Sequence, residues 1–229
     1  MVGDMMTKMK IVMAILLLFG APLLVLAETP ARAGKLIVSE DSKFAELAAT
    51  CQRKGWNFDQ IFRELCKTAQ ANLDRNPKVQ VEDQARSIFG GLWIWTGRGG
   101  SAKIQGRSDW AFHFAGGGAF QGYWDLGRTA AVVKERRDSR DSGNRFDLDD
   151  MAATMLGARW VDLAANSEPV IGRRWLDLWA SGQYSISQSL PTLRYGQLPQ
   201  GQVAPPERIE EIRDAVDAAL VVPSPHARQ

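Results

Sequence analysis

The clearest periodic pattern lies just after Asn57. Phe58, Ile61, Phe62, Leu65, Cys66 and Ala69 recur at i, i+3, i+4, i+7, i+8 and i+11, which is one apolar face of a helix. Asn57 with Gln60 three residues on reads as an N-cap with its capping-box partner. Phe44, Leu47 and Ala48 give Asp41–Arg53 helical spacing, and Gly55 suits the position after a helix end. Residues 41–73 are therefore expected to form a helical hairpin. Asn76-Pro77 breaks the pattern. Val81–Trp95 is mixed: it fits a helix ending at Gly90-Gly91 or a short apolar strand at Leu92–Trp95. Thr96–Arg107 is Gly-rich and basic. Its Gly97-x-Gly99-Gly100 lacks the spacing and the strand–helix context of a phosphate loop, so it reads as a flexible connector.

Three helices are expected in the next stretch. Ser108 is placed to cap the first, and Asp109 suits its positive end. Asp109 and His113, at i and i+4, share a face and can hydrogen-bond. Gly116, Gly117 and Gly118 follow, each costing about 1 kcal/mol against Ala in a helix. A helix that carries them needs another backbone, or a ligand, close by. Gly127 ends it. Thr129–Asp138 forms the second helix, with Glu135 and Asp138 on one face, and Ser139–Arg145 is a polar turn. Asp147 caps the third, with Asp150 as its capping-box variant. Met151, Met155, Ala158 and Val161 or Asp162 make one stripe, and Thr154 and Gly157 offer a small-residue face for close packing.

Glu168-Pro169 opens a further helix that fades at Gly182. Four prolines among Ser, Gln and Gly between Tyr184 and Pro206 then mark a linker or a surface-hugging arm. Pro206 suits the first turn of an amphipathic Glu207–Leu220 helix. The expected fold is all-α: a compact helical bundle with an N-terminal hairpin and a Pro-rich arm to a C-terminal helix. Its parts are a helical domain at 41–185 with a central unit at 108–165, a Pro-rich linker at 186–206, a C-terminal helix at 207–220 and a tail at 221–229.

The N-terminus follows a different pattern. Lys8 and Lys10 precede an apolar run from Ile11 to Ala27, and Val25-Leu26-Ala27 offers a small-residue cleavage site. Residues 1–27 therefore read as a signal peptide, with an uncleaved anchor as the alternative, and 28–40 as a linker. The mature chain is expected in the periplasm or cell envelope. In that oxidising setting Cys51 and Cys66, the only two cysteines, are expected to form a disulfide across the hairpin. Such a bridge stabilises by about 3 kcal/mol.

Charge adds little. The 229 residues carry a net +2, which falls to +1 without Lys8, Lys10 and Asp4 of the signal, so no nucleic-acid partner is indicated. Eight tryptophans are many for this length. They read as a tryptophan-rich core, or as a membrane-interface or sugar-binding surface.

The candidate chemistry is one histidine with several carboxylates. His113, Glu135, Asp138 and Asp150 can converge from three helices, with Asp109 orienting His113. Three readings stay open. The favoured one is a packing network: a buried His bonded to a carboxylate, with Lys134, Arg136 and Arg137 paired to acids, fixes how three helices pack. The second is a metal site of His113, Glu135, Asp138 and Asp150. The third is a hydrolase with His113 as base, Asp109 as its orienting partner and Glu135 as acid. Asp147, Asp149 and Asp150 also serve a helix start, and Lys134–Arg137 a solvated face.

The order Asp109-Trp-x-x-His113-Phe114, a glycine-rich helix, Lys134-Glu135-x-x-Asp138, Phe146-Asp147-x-Asp149-Asp150-Met151-x-Ala153 and Gly157-Ala158 resembles the YfiM-like periplasmic lipoprotein family. It is more distantly similar to VanZ-like membrane proteins. The resemblance covers 108–160 and implies a compact helical unit in the cell envelope. The expected function is thus an exported, non-enzymatic, membrane-associated envelope protein contacting another envelope protein or lipid headgroups. The alternative is a small periplasmic hydrolase or metal-dependent enzyme using His113 with Glu135 and Asp138. No motif names a cofactor or an oligomeric state.

Overall fold

The Asn57 capping box forms. Gln60 N–H donates to Asn57 Oδ1, and Asn57 N–H donates to Gln60 Oε1, each at 2.9 Å. The helix it starts, α2 (Phe58–Arg75), buries all six residues of the predicted face. These come from a computed structural model that describes residues 34–140, 144–165, 167–189 and 194–220, with the side chains of 34–39 and 188–189 left aside. The expected signal at 1–27 and the tail at 221–229 lie outside the described residues.

The other arm of the hairpin, α1 (Gly34–Arg53), begins within the segment expected as linker. Residues 81–97 resolve as helix α3 (Val81–Gly97), not a strand. Gly90 and Gly91 do not end it: a Cβ on Gly91 would lie 2.5 Å from Phe44 Cβ and 2.9 Å from Ala45 N. Gly91 lets α1 and α3 pack backbone to backbone, and Gly90 makes room for the Asp41 carboxylate. The chain continues as α4 (Ser108–Trp124), α5 (Gly127–Asp138), α6 (Leu148–Ala165), α7 (Pro169–Ser181), a single turn α8 (Ile186–Ser189) and α9 (Pro206–Ala219). All regular structure among the described residues is helical, apart from two isolated bridges, Ile104 with Arg107 and Asp147 with Gln197.

Helix α6 is the axis of the bundle. Fifteen of its residues are buried, so its pattern is apolar nearly all round and not a single stripe. Helix α4 packs along it most extensively; α3 backs α4, α1 backs α3, α2 pairs with α7, and α5 and α9 cover α6 from its other sides. Arg128 and Arg159 both reach Asp217, at 2.7 and 3.3 Å, and hold α9 in place. The core is aromatic: Phe62 and Phe114 meet Trp160 edge-on, and Trp160 stacks on Trp179 with centroids 4.6 Å apart. Five tryptophans (Trp95, Trp110, Trp160, Trp175 and Trp179) are buried, which makes them core residues. No helix of the described residues is long and apolar enough to cross a membrane.

The expected disulfide is not formed. Cys51 and Cys66 are both buried free thiols. The arms of the hairpin explain this. Cys51 lies about 3 Å along α1 from the turn, and Cys66 about 12 Å along α2. That offset exceeds the Cα separation a disulfide spans. Burial pushes both thiols above their ordinary pKa, so neither is a ready thiolate.

Candidate functional site

The site begins with a turn that aims one arginine. Ile104 and Arg107 exchange backbone hydrogen bonds of 3.0 Å around Gln105 and Gly106, both left-handed at φ 50° and 85°. Gly106 suits that turn, whereas Gln105 is strained in it. Ile104 is buried beneath it, so the expected flexible connector is anchored. Arg107 emerges with its guanidinium 4.6 Å from the Trp110 ring centroid. It then meets four carboxylates: it donates to Asp109 and to Asp150 (2.8 Å), and lies 3.5 Å from Asp147 and 3.8 Å from Asp149. The hydrogen bond to Asp109 leads in holding the guanidinium proton tightly, and Arg107 in turn holds the Asp109 carboxyl below its usual range.

Asp109 is therefore Arg107's partner. Ser108 is the first residue of α4 and Arg107 stands at its cap, so Ser108 does not cap the helix. His113, buried at 7% exposed, faces across to α6 instead. Its Nε2 lies 3.2 Å from Asp150 Oδ2 and its Nδ1 3.1 Å from Thr154 Oγ1. The Thr154 hydroxyl donates its own proton to the Asp150 carbonyl oxygen at 2.9 Å. It is thus the acceptor towards His113, and Nδ1 carries a hydrogen. That fixes the ring with Nε2 turned to the carboxylates.

Glu135, on α5, completes the cluster and is 1% exposed. Lys134 Nζ donates to Glu135 Oε1 (2.7 Å), and the backbone N–H of Asp147 donates to Glu135 Oε2 (3.0 Å). Burial raises the Glu135 pKa and outweighs the lowering by Lys134. Burial works against the Lys134 ammonium, but Glu135 and Asp138 overcome it and its pKa rises. One ligand-type atom each from His113, Glu135 and Asp150 lies within 4.8 Å of the others. Asp138 joins only through Lys134, at 2.8 Å. Of the residues singled out in the sequence, His113, Glu135 and Asp150 are brought together, while Asp109 and Asp138 stand one partner away.

Helix packing makes this convergence possible. A Cβ on Gly117 would lie 1.9 Å from Thr154 O, and one on Gly157 1.9 Å from Phe114 O. Gly117 of α4 and Gly157 of α6 thus serve the backbone approach of the two helices, which sets Thr154 and Asp150 beside His113. Gly127 plays the same part at the start of α5, where a Cβ would meet Gly117 O at 2.4 Å.

The N-terminus of α6 is held twice. Asp147 caps it, accepting from the N–H groups of Asp149 (2.9 Å) and Asp150 (3.0 Å). Asp149 reaches outward to the N–H groups of Tyr195 (2.6 Å) and Gly196 (3.1 Å), and Gln197 donates to Asp147 Oδ2 (2.7 Å). The Pro-rich arm is thereby pinned over the site. Sequence reasoning missed Arg107 and the Tyr195–Gln197 contact. Three aspartates within four residues (Asp147, Asp149 and Asp150), more than one helix cap needs, were the available signal for a cation nearby.

Two openings flank the cluster. A cleft of about 440 Å³ reaches His113 and Thr154 past Trp93, Phe112 and Phe120. A more polar one of about 320 Å³ reaches Glu135, Asp147 and Asp150. Chemically, the arrangement can lock three helices through hydrogen-bonded charge, or offer one imidazole nitrogen and two carboxylates to a divalent cation. Compared with known proteins, the chain matches no family, no curated protein and no solved structure.

Proposed function

We propose that this chain is an exported, non-enzymatic protein of the cell envelope, in which the His113–Asp150–Glu135 cluster is a packing network. The network fixes α4, α5 and α6 against one another so that the surface above them can make protein or membrane-surface contacts. One observation carries this reading: the cluster is closed. All four carboxylate oxygens of Asp150 and Glu135, and both nitrogens of a doubly protonated His113, have protein partners, supplied by Thr154, Arg107, Lys134, the Asp147 backbone and one another. A fully partnered buried network rigidifies a core. The envelope location is supported by the signal pattern at 1–27 and by the resemblance of 108–160.

Removing His113 or Glu135 takes a hydrogen-bond partner from buried polar groups that keep one other, which costs about 1–3 kcal/mol. His113→Ala and Glu135→Ala are expected to lower the melting temperature by about 3–10 °C. Fractionation of cells expressing the tagged full chain is expected to place it in the periplasmic or membrane fraction, and deletion of 1–27 to keep it in the cytoplasm. Variants that melt like the wild type would remove the network, and a cytoplasmic full chain would remove the location.

A second reading has its own observation. The three ligand-type atoms within 4.8 Å, with Nδ1 of His113 held by Thr154, match the way second-shell bonds orient a metal-binding histidine. Elemental analysis of the wild type beside His113→Ala separates the two. Stoichiometric metal lost in the variant establishes a metal site; equal, substoichiometric metal in both retains the network.

A further inference from the structure

The larger cleft combines two features that the closed network does not use. Its walls are apolar, and two of its residues, Phe112 and Val133, are 41% and 40% exposed although large and hydrophobic. Both line it, one from α4 and one from α5. Its edge is basic: Lys134, Arg136, Arg137 and Arg140 line it, with Asp138 as the one carboxylate. Lys134 already neutralises Asp138 at 2.8 Å. With the buried Glu135 included, the stretch Lys134–Arg140 carries four basic and two acidic groups, a net +2 that equals the net charge of the entire chain, so the basic character is concentrated here. The helix repeat explains the placement. Val133, Arg136 and Arg140 follow at i, i+3 and i+7 along and just past α5, so an apolar residue and two guanidinium groups share one face.

We propose that this cleft binds the phosphate headgroup of an anionic phospholipid. The guanidinium groups of Arg136 and Arg140 take the phosphate, and the glycerol and first methylenes lie against Phe112 and Val133. Charge complementarity selects an anion. Exposed apolar residues beside the charges select an amphiphile over a free ion. The inference deepens the envelope reading and rests on it for its biological setting, but not for its chemistry.

The test is co-sedimentation of the purified full chain with vesicles of phosphatidylglycerol mixed into phosphatidylcholine, with phosphatidylcholine-only vesicles and inorganic phosphate as the other arms. The protein is expected to bind the anionic vesicles and not the zwitterionic ones. Each basic residue near a membrane surface is worth about fivefold in binding. The Arg136→Glu/Arg140→Glu variant is therefore expected to lose more than about tenfold, and Phe112→Ser to weaken binding as well. Lys67→Glu, an exposed change on α2, should bind as the wild type does. Equal melting temperatures show that the variants are folded. Equal binding to both vesicle types, or undiminished binding by the double variant, overturns the site. Protection by inorganic phosphate without vesicle binding overturns it in favour of a soluble phosphate. Vesicle binding by a chain that fractionates to the cytoplasm would keep this site and remove the envelope location; the reverse pattern would remove only the site.

Discussion

Asp41 shows how burial changes a single group. It lies in α1, 6% exposed, and the Tyr123 hydroxyl donates to its two oxygens at 2.6 and 2.7 Å. Burial raises its pKa from 3.8 to about 7, against the lowering by hydrogen bonds from Tyr123 and Ser87. The folded chain therefore keeps a proton that the unfolded chain has already lost. This contribution to stability is complete below about pH 4 and is lost as pH rises to about 7. Its full size is on the order of 4 kcal/mol. Asp41→Asn is expected to flatten the fall in melting temperature between pH 4 and 8, and an unchanged slope would refute the assignment. Nothing in the local sequence marks this residue, because its burial depends on Tyr123, 82 positions away. Arg107 was hidden for a related reason. Its partners come from the far side of a turn and from another helix, and no periodic pattern records such contacts.

At the scale of elements, the glycines decide how closely the helices approach. Gly117 on α4 and Gly157 on α6 each face a carbonyl oxygen at 1.9 Å from where a Cβ would sit. Gly117→Ala and Gly157→Ala are each expected to cost at least about 3 kcal/mol, read as a lower urea midpoint. Gly97→Ala is the control: a Cβ there meets nothing within 4 Å, and the change is expected to stay within about 1 kcal/mol. Local signals served well where one element carries its own pattern. The Asn57–Gln60 box, the buried face of α2, the Gly182 end of α7 and Pro206 at the start of α9 all appear where the spacing put them. The expectation of a backbone close to Gly116–Gly118 holds at Gly117, while Gly116 and Gly118 face the Trp93 and Phe89 rings. The strand alternative for Leu92–Trp95 failed because α3 is buried on several sides, and an apolar run then looks the same for a helix or a strand. The disulfide failed because two cysteines on a hairpin were read without their heights along the two arms.

At the scale of the molecule, α6 joins the parts. Capped by Asp147, it carries Asp150, Thr154 and Gly157 along its length, receives α4 against its glycine, and takes Glu135 of α5 at its N-terminal end through the Asp147 N–H. The pinned arm at Tyr195–Gln197 closes the same corner from the C-terminal side. The convergence of His113, Glu135 and Asp150 was open to sequence reasoning as a set of residue types on three helices. The pairing of Lys134 with acids was readable as well, whereas Arg107 and Thr154, which complete the network, required the fold. The central claim is that these groups act together across α4 and α6. A double-mutant cycle of His113→Ala and Asp150→Ala, followed by chemical denaturation of chelator-treated protein, measures that directly. The account predicts a coupling of about 1–3 kcal/mol between the two positions. Costs that simply add, within about 0.5 kcal/mol, would contradict it.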